Sequence, residues 1–293
     1  MLSILIPTYN YNTAPLVFEL QKQSFLSGIN FEIIVQDDAS ELFLEENQKI
    51  NTVENCRFSR NTANLGRGKN INLLAEKSAF EWLLIMDCDT FPTQDDFILK
   101  YVSQINKKEI VVFGGIAYQK EQPSDDKLLR WVYGKARESL SVEMRKKNPN
   151  GNALTSNILI KKNSFTANKF DSSITAYGYE DLVFLSDLKK KGIVVNHIDN
   201  PTYHLGLETS KQFLDKTKIA LENLKTLTAT NALDSSESKL LTAYSIIKRL
   251  YLVNFAAFLF KKTEGKMEQN LVSKKPSLLL FDLYKLGYFC GIK

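Results

Sequence analysis

Short apolar runs that stop at polar clusters set the rhythm of the first half of the chain. Ser3–Ile6 closes on Pro7-Thr8-Tyr9-Asn10, Phe31–Gln36 on Asp37-Asp38-Ala39-Ser40, Trp82–Met86 on Asp87-Cys88-Asp89, and Ile110–Phe113 on Gly114-Gly115. Apolar runs of this length predict strands buried on both faces, as in a parallel sheet. Between the first two, Leu16, Val17, Leu20 and Phe25 fall at helical spacing and predict a helix over Ala14–Ser27, and a second helical stretch, Ile71–Phe80, precedes the third strand. Strands alternating with helices predict an α/β fold with a Rossmann-like, mostly parallel central sheet, whose ligands gather beyond the carboxyl ends of the strands. All of the polar tips fall at those ends.

The remainder changes character twice. Ser124–Pro149 is charged and partly helical, Leu154–Ile160 predicts a strand, and Gly178-Tyr179-Glu180-Asp181 opens a helix that Gly192 caps, after which Ile193–Val195 resumes extended structure. From Leu207 onward the pattern is helical throughout. Phe213, Leu214, Ala220, Leu221, Leu224 and Leu227 mark one helix; Leu240, Tyr244, Ile247, Tyr251, Phe255 and Phe258 mark a second; and Pro276 suits the first turn of a third. This predicts a domain over residues 1–205 and a C-terminal helical extension, 206–293, packed on it.

The 293 residues are 44% hydrophobic and 24% charged, ordinary proportions for a globular protein with a sizeable core. No apolar run approaches the roughly 20 residues of a membrane-spanning helix. Met1–Ile6 has no basic residue and runs into Pro7, which predicts a strand and not a secretory signal, and with it a cytoplasmic location. Cys56, Cys88 and Cys290 are too few and scattered for a disulfide framework and are expected to be reduced. The net charge of +5 is uneven: nine Lys or Arg against three Asp or Glu follow from Lys248, which leaves −1 for residues 1–247. A nearly neutral body without a basic stripe excludes nucleic acid as a partner. The basic, aromatic tail reads either as a cap packed on the body or as a peripheral contact with the inner face of the cell membrane.

Each chemical motif has two readings on its own. Asp87 and Asp89 at a strand end could bind Mg²⁺ or Mn²⁺ bridging a diphosphate, or Asp89 or Thr90 could merely cap a helix. Asp37-Asp38 could likewise cap a helix, or accept hydrogen bonds from a nucleobase imide. Asn64-Leu65-Gly66-Arg67-Gly68-Lys69-Asn70 suits a phosphate-rich ligand or a plain turn, and matches neither the Walker loop nor the dinucleotide fingerprint. Glu180 and Asp181 are either functional carboxylates or first-turn acids favoured by the helix dipole.

In their order and spacing, Pro-Thr-Tyr-Asn, Asp-Asp-Ala-Ser, Asn-Leu-Gly with a cation, Asp-Cys-Asp, Tyr177-Gly178-Tyr179-Glu180-Asp181 and His197 to His204 resemble the family-2 nucleotide-sugar glycosyltransferases of the GT-A fold, over roughly residues 1–205. The resemblance implies an inverting, metal-dependent transfer of a sugar from a nucleotide donor, a UDP-sugar, to a hydroxyl of a glycan or lipid-linked saccharide. It implies that Thr8, Tyr9 and Asp38 hold the base, and that Asn64, Gly66 and Arg67 meet the donor. Asp87 would meet the ribose or the metal's water shell, Asp89 and His204 would bind Mn²⁺ or Mg²⁺, Asp181 would be the general base, and Glu180 would bind acceptor hydroxyls. His197, between apolar neighbours, is assigned to structure. One departure stands out: many members carry Arg-Asn where this chain has Ile71-Asn72, so that Arg67 or Lys69 would have to supply the cation.

Two other functions use similar parts. A nucleotidyltransferase would also place carboxylates at strand tips, but normally shows a glycine-rich basic loop after the first strand, which Pro7-Thr8-Tyr9-Asn10 is not. A non-catalytic nucleotide- or glycan-binding protein on this fold would not need Asp87, Asp89 and Asp181 all intact. A dehydrogenase is disfavoured because the dinucleotide fingerprint is missing.

Overall fold

The computed structural model describes residues 1–105, 107 and 110–292. Its strands are β1 (Leu2–Thr8), β2 (Phe31–Asp37), β3 (Cys56–Arg60), β4 (Trp82–Met86), β5 (Thr90–Pro92), β6 (Val111–Phe113), β7 (Ile116–Ala117), β8 (Asn157–Lys161), β9 (Asn196–His197) and β10 (Thr202–His204). Helices α1 (Ala14–Leu26), α2 (Leu44–Gln48), α3 (Arg67–Lys77), α4 (Phe97–Val102), α5 (Leu128–Arg137), α6 (Val142–Lys146), α7 (Lys162–Thr166) and α8 (Glu180–Lys190) are interleaved with them. Four more, α9 (Ser210–Ala229), α10 (Lys239–Arg249), α11 (Val253–Leu271) and α12 (Leu278–Gly291), follow the last strand.

Seven strands form one sheet in the order β3-β2-β1-β4-β8-β6-β9. β3, β2, β1 and β4 run parallel, β8 is antiparallel to both its neighbours, and β9 is parallel to β6. Alternation along β1 divides the core: Leu2, Ile4 and Ile6 face α1 and α4, while Leu5 faces the layer that includes Leu74 of α3 and Phe184 of α8. Helices thus cover both faces, and the parallel strand tips open on one edge. A second, three-stranded sheet, β5-β10-β7, stands beside β4; antiparallel pairing of β10 with β5 sets His204 opposite Thr90.

The structure departs from the expected elements at several points. β3, Cys-Arg-Phe-Ser-Arg, carries no apolar run because it is a sheet edge, where one arginine on each side of Phe58 discourages further pairing. The strand expected over Leu154–Ile160 begins only at Asn157, and Ile193–Val195 lies just ahead of the short β9. The helix expected from Leu240 through Phe258 is two, breaking at Leu250–Leu252, where Tyr251 takes a left-handed φ of 60°. Pro276 precedes the first turn of α12, which Ser277 caps by accepting from Leu280 N at 3.3 Å.

The C-terminal helices share cores with the body. Val183 of α8 packs among Leu221, Leu224 and Leu241, and Leu129 of α5 among Leu214, Phe260, Phe281 and Tyr284. Where β8 meets β6, the fully buried Asn157 donates to the carbonyls of Gly115 (2.9 Å) and Asn200 (3.0 Å) and accepts from the Tyr101 hydroxyl (2.7 Å). Asn157→Ala would leave these buried groups unpaired, and should lower stability by about 3 kcal/mol, read as a lower urea midpoint at unchanged slope.

Candidate active site

The parallel strand tips open into a cleft of about 780 Å³, and the eleven residues to which the resemblance assigns a donor, metal or catalytic role all line it. Each is held by a local device. Thr8 ends β1, with its hydroxyl 3.0 Å from that of Thr13, and its carbonyl accepts from Asp38 N at 2.8 Å, while Tyr9 stands half-exposed beyond it. Asp38 binds the neighbouring loop: Oδ1 accepts from Leu65 N and Asn61 Nδ2, both at 2.8 Å, and Oδ2 from Gly66 N at 2.9 Å. Asn64 Oδ1 also accepts from Gly66 N, at 3.0 Å. Gly66, at φ 85°, has a backbone that a side chain would strain, and it places Arg67 at the first position of α3.

Arg67 is the hub. Nε and Nη2 donate to Asp87 Oδ1 (2.9 and 2.6 Å), and Nη1 donates to Asp181 Oδ1 (2.7 Å) and Thr155 Oγ1 (2.9 Å). One guanidinium therefore joins the end of β4 to the start of α8. Thr155 donates its hydroxyl to Asp181 Oδ1 at 2.6 Å and its N–H to Oδ2 at 3.3 Å, which leaves Oδ2 the less engaged oxygen. Lys69, the other cation of that loop, is not on the cleft.

Asp89 lies on the other side of Asp87. Its Oδ2 is 3.1 Å from His204 Nε2, and its carbonyl accepts from Leu205 N at 2.8 Å. Burial alone would raise the Asp89 carboxyl, but the hydrogen bond and charge of His204, with Arg130 behind them, outweigh it and hold Asp89 below the usual carboxylate range. A Cβ on Gly206 would crowd Asp89 Oδ2 and stand 2.9 Å from Asp89 Cβ, so a side chain there would displace that carboxylate. Among the described residues no three His, Cys, Asp or Glu converge as a metal cluster, and Asp87, also named for the metal, is turned to Arg67. The Asp89–His204 pair alone fits a cation such as Mn²⁺ or Mg²⁺ that takes its other ligands from phosphate oxygens and water. Between the acids, burial and the charges of Asp89 and Asp87 push the Cys88 thiol up, keeping it protonated.

Glu180 and Asp181 open α8 behind Gly178 (φ 93°) and Tyr179 (φ 67°), two successive left-handed residues. That turn is tied down from α9, where Asn223 Nδ2 donates to the carbonyls of Gly178 (2.6 Å) and Ala176 (3.2 Å). Glu180 Oε2 is buried without a hydrogen-bond partner among the described residues. Burial, then the neighbouring Asp181, raise its carboxyl above the usual range.

Sequence reasoning missed one wall of the cleft. Arg130 and Tyr133 of α5, Phe213 and Lys216 of α9, and Phe281 and Lys285 of α12 face the strand tips. Arg130 pairs with Glu138 at 3.1 Å and lies 5.2 Å from the Phe213 ring. The charged stretch and the helical extension carried no signal that they meet here. Thr155 and Gly206 were also missed, and only the nearness of Gly206 to His204 could have marked it. His197 lies outside the cleft, buried, with Nε2 2.8 Å from the carbonyl of Pro149.

The family described as Glycosyl transferase family 2 matches residues 3–172. Among solved structures, TarS from S. aureus is 17% identical at a TM-score of 0.50, covering 77% of this chain; this chain spans only 39% of TarS. TarS 1-349 in complex with UDP-GlcNAc is likewise 17% identical, with a TM-score of 0.50 over 98% of this chain and 89% of that one. A mannosyltransferase, PcManGT from Pyrobaculum calidifontis, in complex with GDP-Man and Mn²⁺, is 13% identical with a TM-score of 0.54 over 93% and 85%. At these identities the likeness establishes a shared fold. No curated protein matches the chain in sequence.

Glu180 yields a pH-dependent expectation. A carboxyl raised by folding contributes stability below its unfolded pKa and loses it as pH rises through its folded value. Glu180→Gln, which keeps the shape without the charge, should therefore melt higher than the wild type at neutral pH. The advantage should vanish as the buffer is brought down through the carboxylate range, and thermal melts across that range check it.

Proposed function

The chain belongs to glycosyl transferase family 2, and on that premise we propose that it moves a sugar from a nucleotide donor, a UDP-sugar, to a hydroxyl of a glycan or lipid-linked saccharide, with inversion and with a divalent cation. It is a glycosyltransferase of the GT-A fold. The observation that carries the finer reading is the convergence in one cleft of Asp181, the Arg67 bridge to Asp87, and the Asp89–His204 pair.

In this reading Asp181 is the general base. Its Oδ1 is fixed by Arg67 and Thr155, so Oδ2 takes the proton of the acceptor hydroxyl as that oxygen attacks the anomeric carbon. The bond to the departing nucleoside diphosphate breaks on the opposite face, which inverts the anomeric centre. Asp89 and His204 would hold Mn²⁺ or Mg²⁺, which would supply positive charge to neutralise the diphosphate. In the same reading Thr8, Tyr9 and Asp38 would hold the base, Asn64 and Gly66 would meet the donor, and Asp87, one oxygen of which is held by Arg67, would meet the ribose. The acceptor enters against Glu180 and the wall formed by α5, α9 and α12.

Asp181→Asn should lower kcat by about 10²–10⁴-fold while leaving the calorimetric affinity for UDP intact; undiminished turnover would remove Asp181 from the role of base. Asp89→Ala should abolish the Mn²⁺ dependence of UDP binding, and Gly206→Ala, which crowds the same oxygen, should weaken that dependence. UDP binding that is equal with and without Mn²⁺ in the wild type counts against the metal site.

A further inference from the structure

The outer face of the C-terminal helices takes no part in the cleft. Among the described residues no single helix is long and apolar enough to cross a membrane; α10 and α11 satisfy length and composition only together, and they are bent by 118°. At that corner Tyr251 is 94% exposed, flanked by the exposed Ile246, Leu250 and Leu252. The first turns of α11 then direct Phe255, Phe258 and Leu259 outward, 62%, 60% and 51% exposed. Their spacing puts them on one stripe with Lys262, whose ammonium lies 5.7 Å from the Phe258 ring. The inward stripe is sealed, since a Cβ on Gly287 of α12 would stand 2.7 Å from Phe260 Cβ.

Cations frame this apolar corner. Lys248 and Arg249 lie on one side, and Lys261, Lys262 and Lys266 on the other, all exposed. The acids on α11 are engaged elsewhere: Lys218 of α9 holds Glu264 at 3.4 Å and Glu268 at 2.9 Å. An aromatic tip within a basic rim matches a surface that is apolar inside and anionic outside. A second copy of the chain, applying the same rim to itself, would set like charges against each other.

We propose that the α10–α11 corner docks on an anionic lipid bilayer, with Tyr251, Phe255 and Phe258 entering the boundary between headgroups and acyl chains and the lysines meeting headgroup phosphates. The docking stands on the corner itself; its use in presenting a lipid-linked acceptor rests on the function proposed above. α11 packs on α12, which carries Phe281 and Lys285 into the cleft. A bilayer on α11 would thus lie about one helix layer, roughly 10 Å, behind the cleft wall.

The test uses the full chain, sedimented with vesicles of phosphatidylcholine alone or of phosphatidylcholine mixed with phosphatidylglycerol. The wild type should pellet with the mixed vesicles only. Lys261→Gln and Lys262→Gln should each reduce partitioning about fivefold, and Phe255→Ser combined with Phe258→Ser should abolish it at unchanged melting temperature and UDP affinity. Tyr251→Trp should shift its emission to the blue on the anionic vesicles alone. Failure of the wild type to pellet, or equal pelleting on both lipids, overturns the proposal. So does a light-scattering mass of two copies that the double Phe variant returns to one. Loss of UDP binding in wild type and variant alike would strike the donor assignment and leave the lipid result standing.

Discussion

The site hangs on one guanidinium. Arg67 bridges Asp87 and Asp181, residues 20 and 114 positions away in the chain. The two carboxylates would repel each other across a shielded cleft, so the cation between them is what lets the end of β4 and the start of α8 approach. Removing one partner of such an arrangement leaves an uncompensated charge, which is far worse than never having built the pair. The supports follow from this need. Asp38 fixes the loop that carries Arg67, Thr155 fixes the carboxylate that Arg67 meets, and Asn223 fixes the turn from which that carboxylate projects.

The strand tips were legible because their physics is local. β1, β2 and β4 are buried on both faces, so each had to be written as an unbroken apolar run, and the polar residues that end them mark the cleft directly. β3 was illegible for the opposite reason: as an edge it needs charge more than apolar surface. Periodicity also misleads in a specific way. The stripe from Leu240 to Phe258 has helical spacing, but Leu240 and Tyr244 pack against the C-terminal core while Tyr251, Phe255 and Phe258 face solvent, so the same period describes two helices with opposite aims. The partners of Arg67 could not be read at all, because two salt bridges on one side chain depend on tertiary geometry that no spacing encodes. The resemblance to a family pointed to Asp181 as a base without indicating what would hold it.

Charge separates the chain near Lys248, but the cores do not: Val183 and Leu129 pack among residues of α9, α11 and α12. The floor of the cleft comes from the parallel strands, and its far wall from helices beyond residue 205. The floor holds carboxylates and the guanidinium between them, while the wall offers rings and cations such as Phe281, Tyr133 and Lys216.

Asn223 carries a consequence for how such enzymes can be recombined. It reaches from the helical extension to the two carbonyls ahead of Glu180, and a Cβ on Gly178 would come within 2.6 Å of Ala220 Cβ, three residues away on the same helix. The extension is therefore part of the mould in which the turn before Asp181 is cast, and not an interchangeable module. A chimera that borrows C-terminal helices from a relative would have to bring a small residue at position 220 and an amide at 223. Without them, the graft would misplace the turn that carries Glu180 and Asp181.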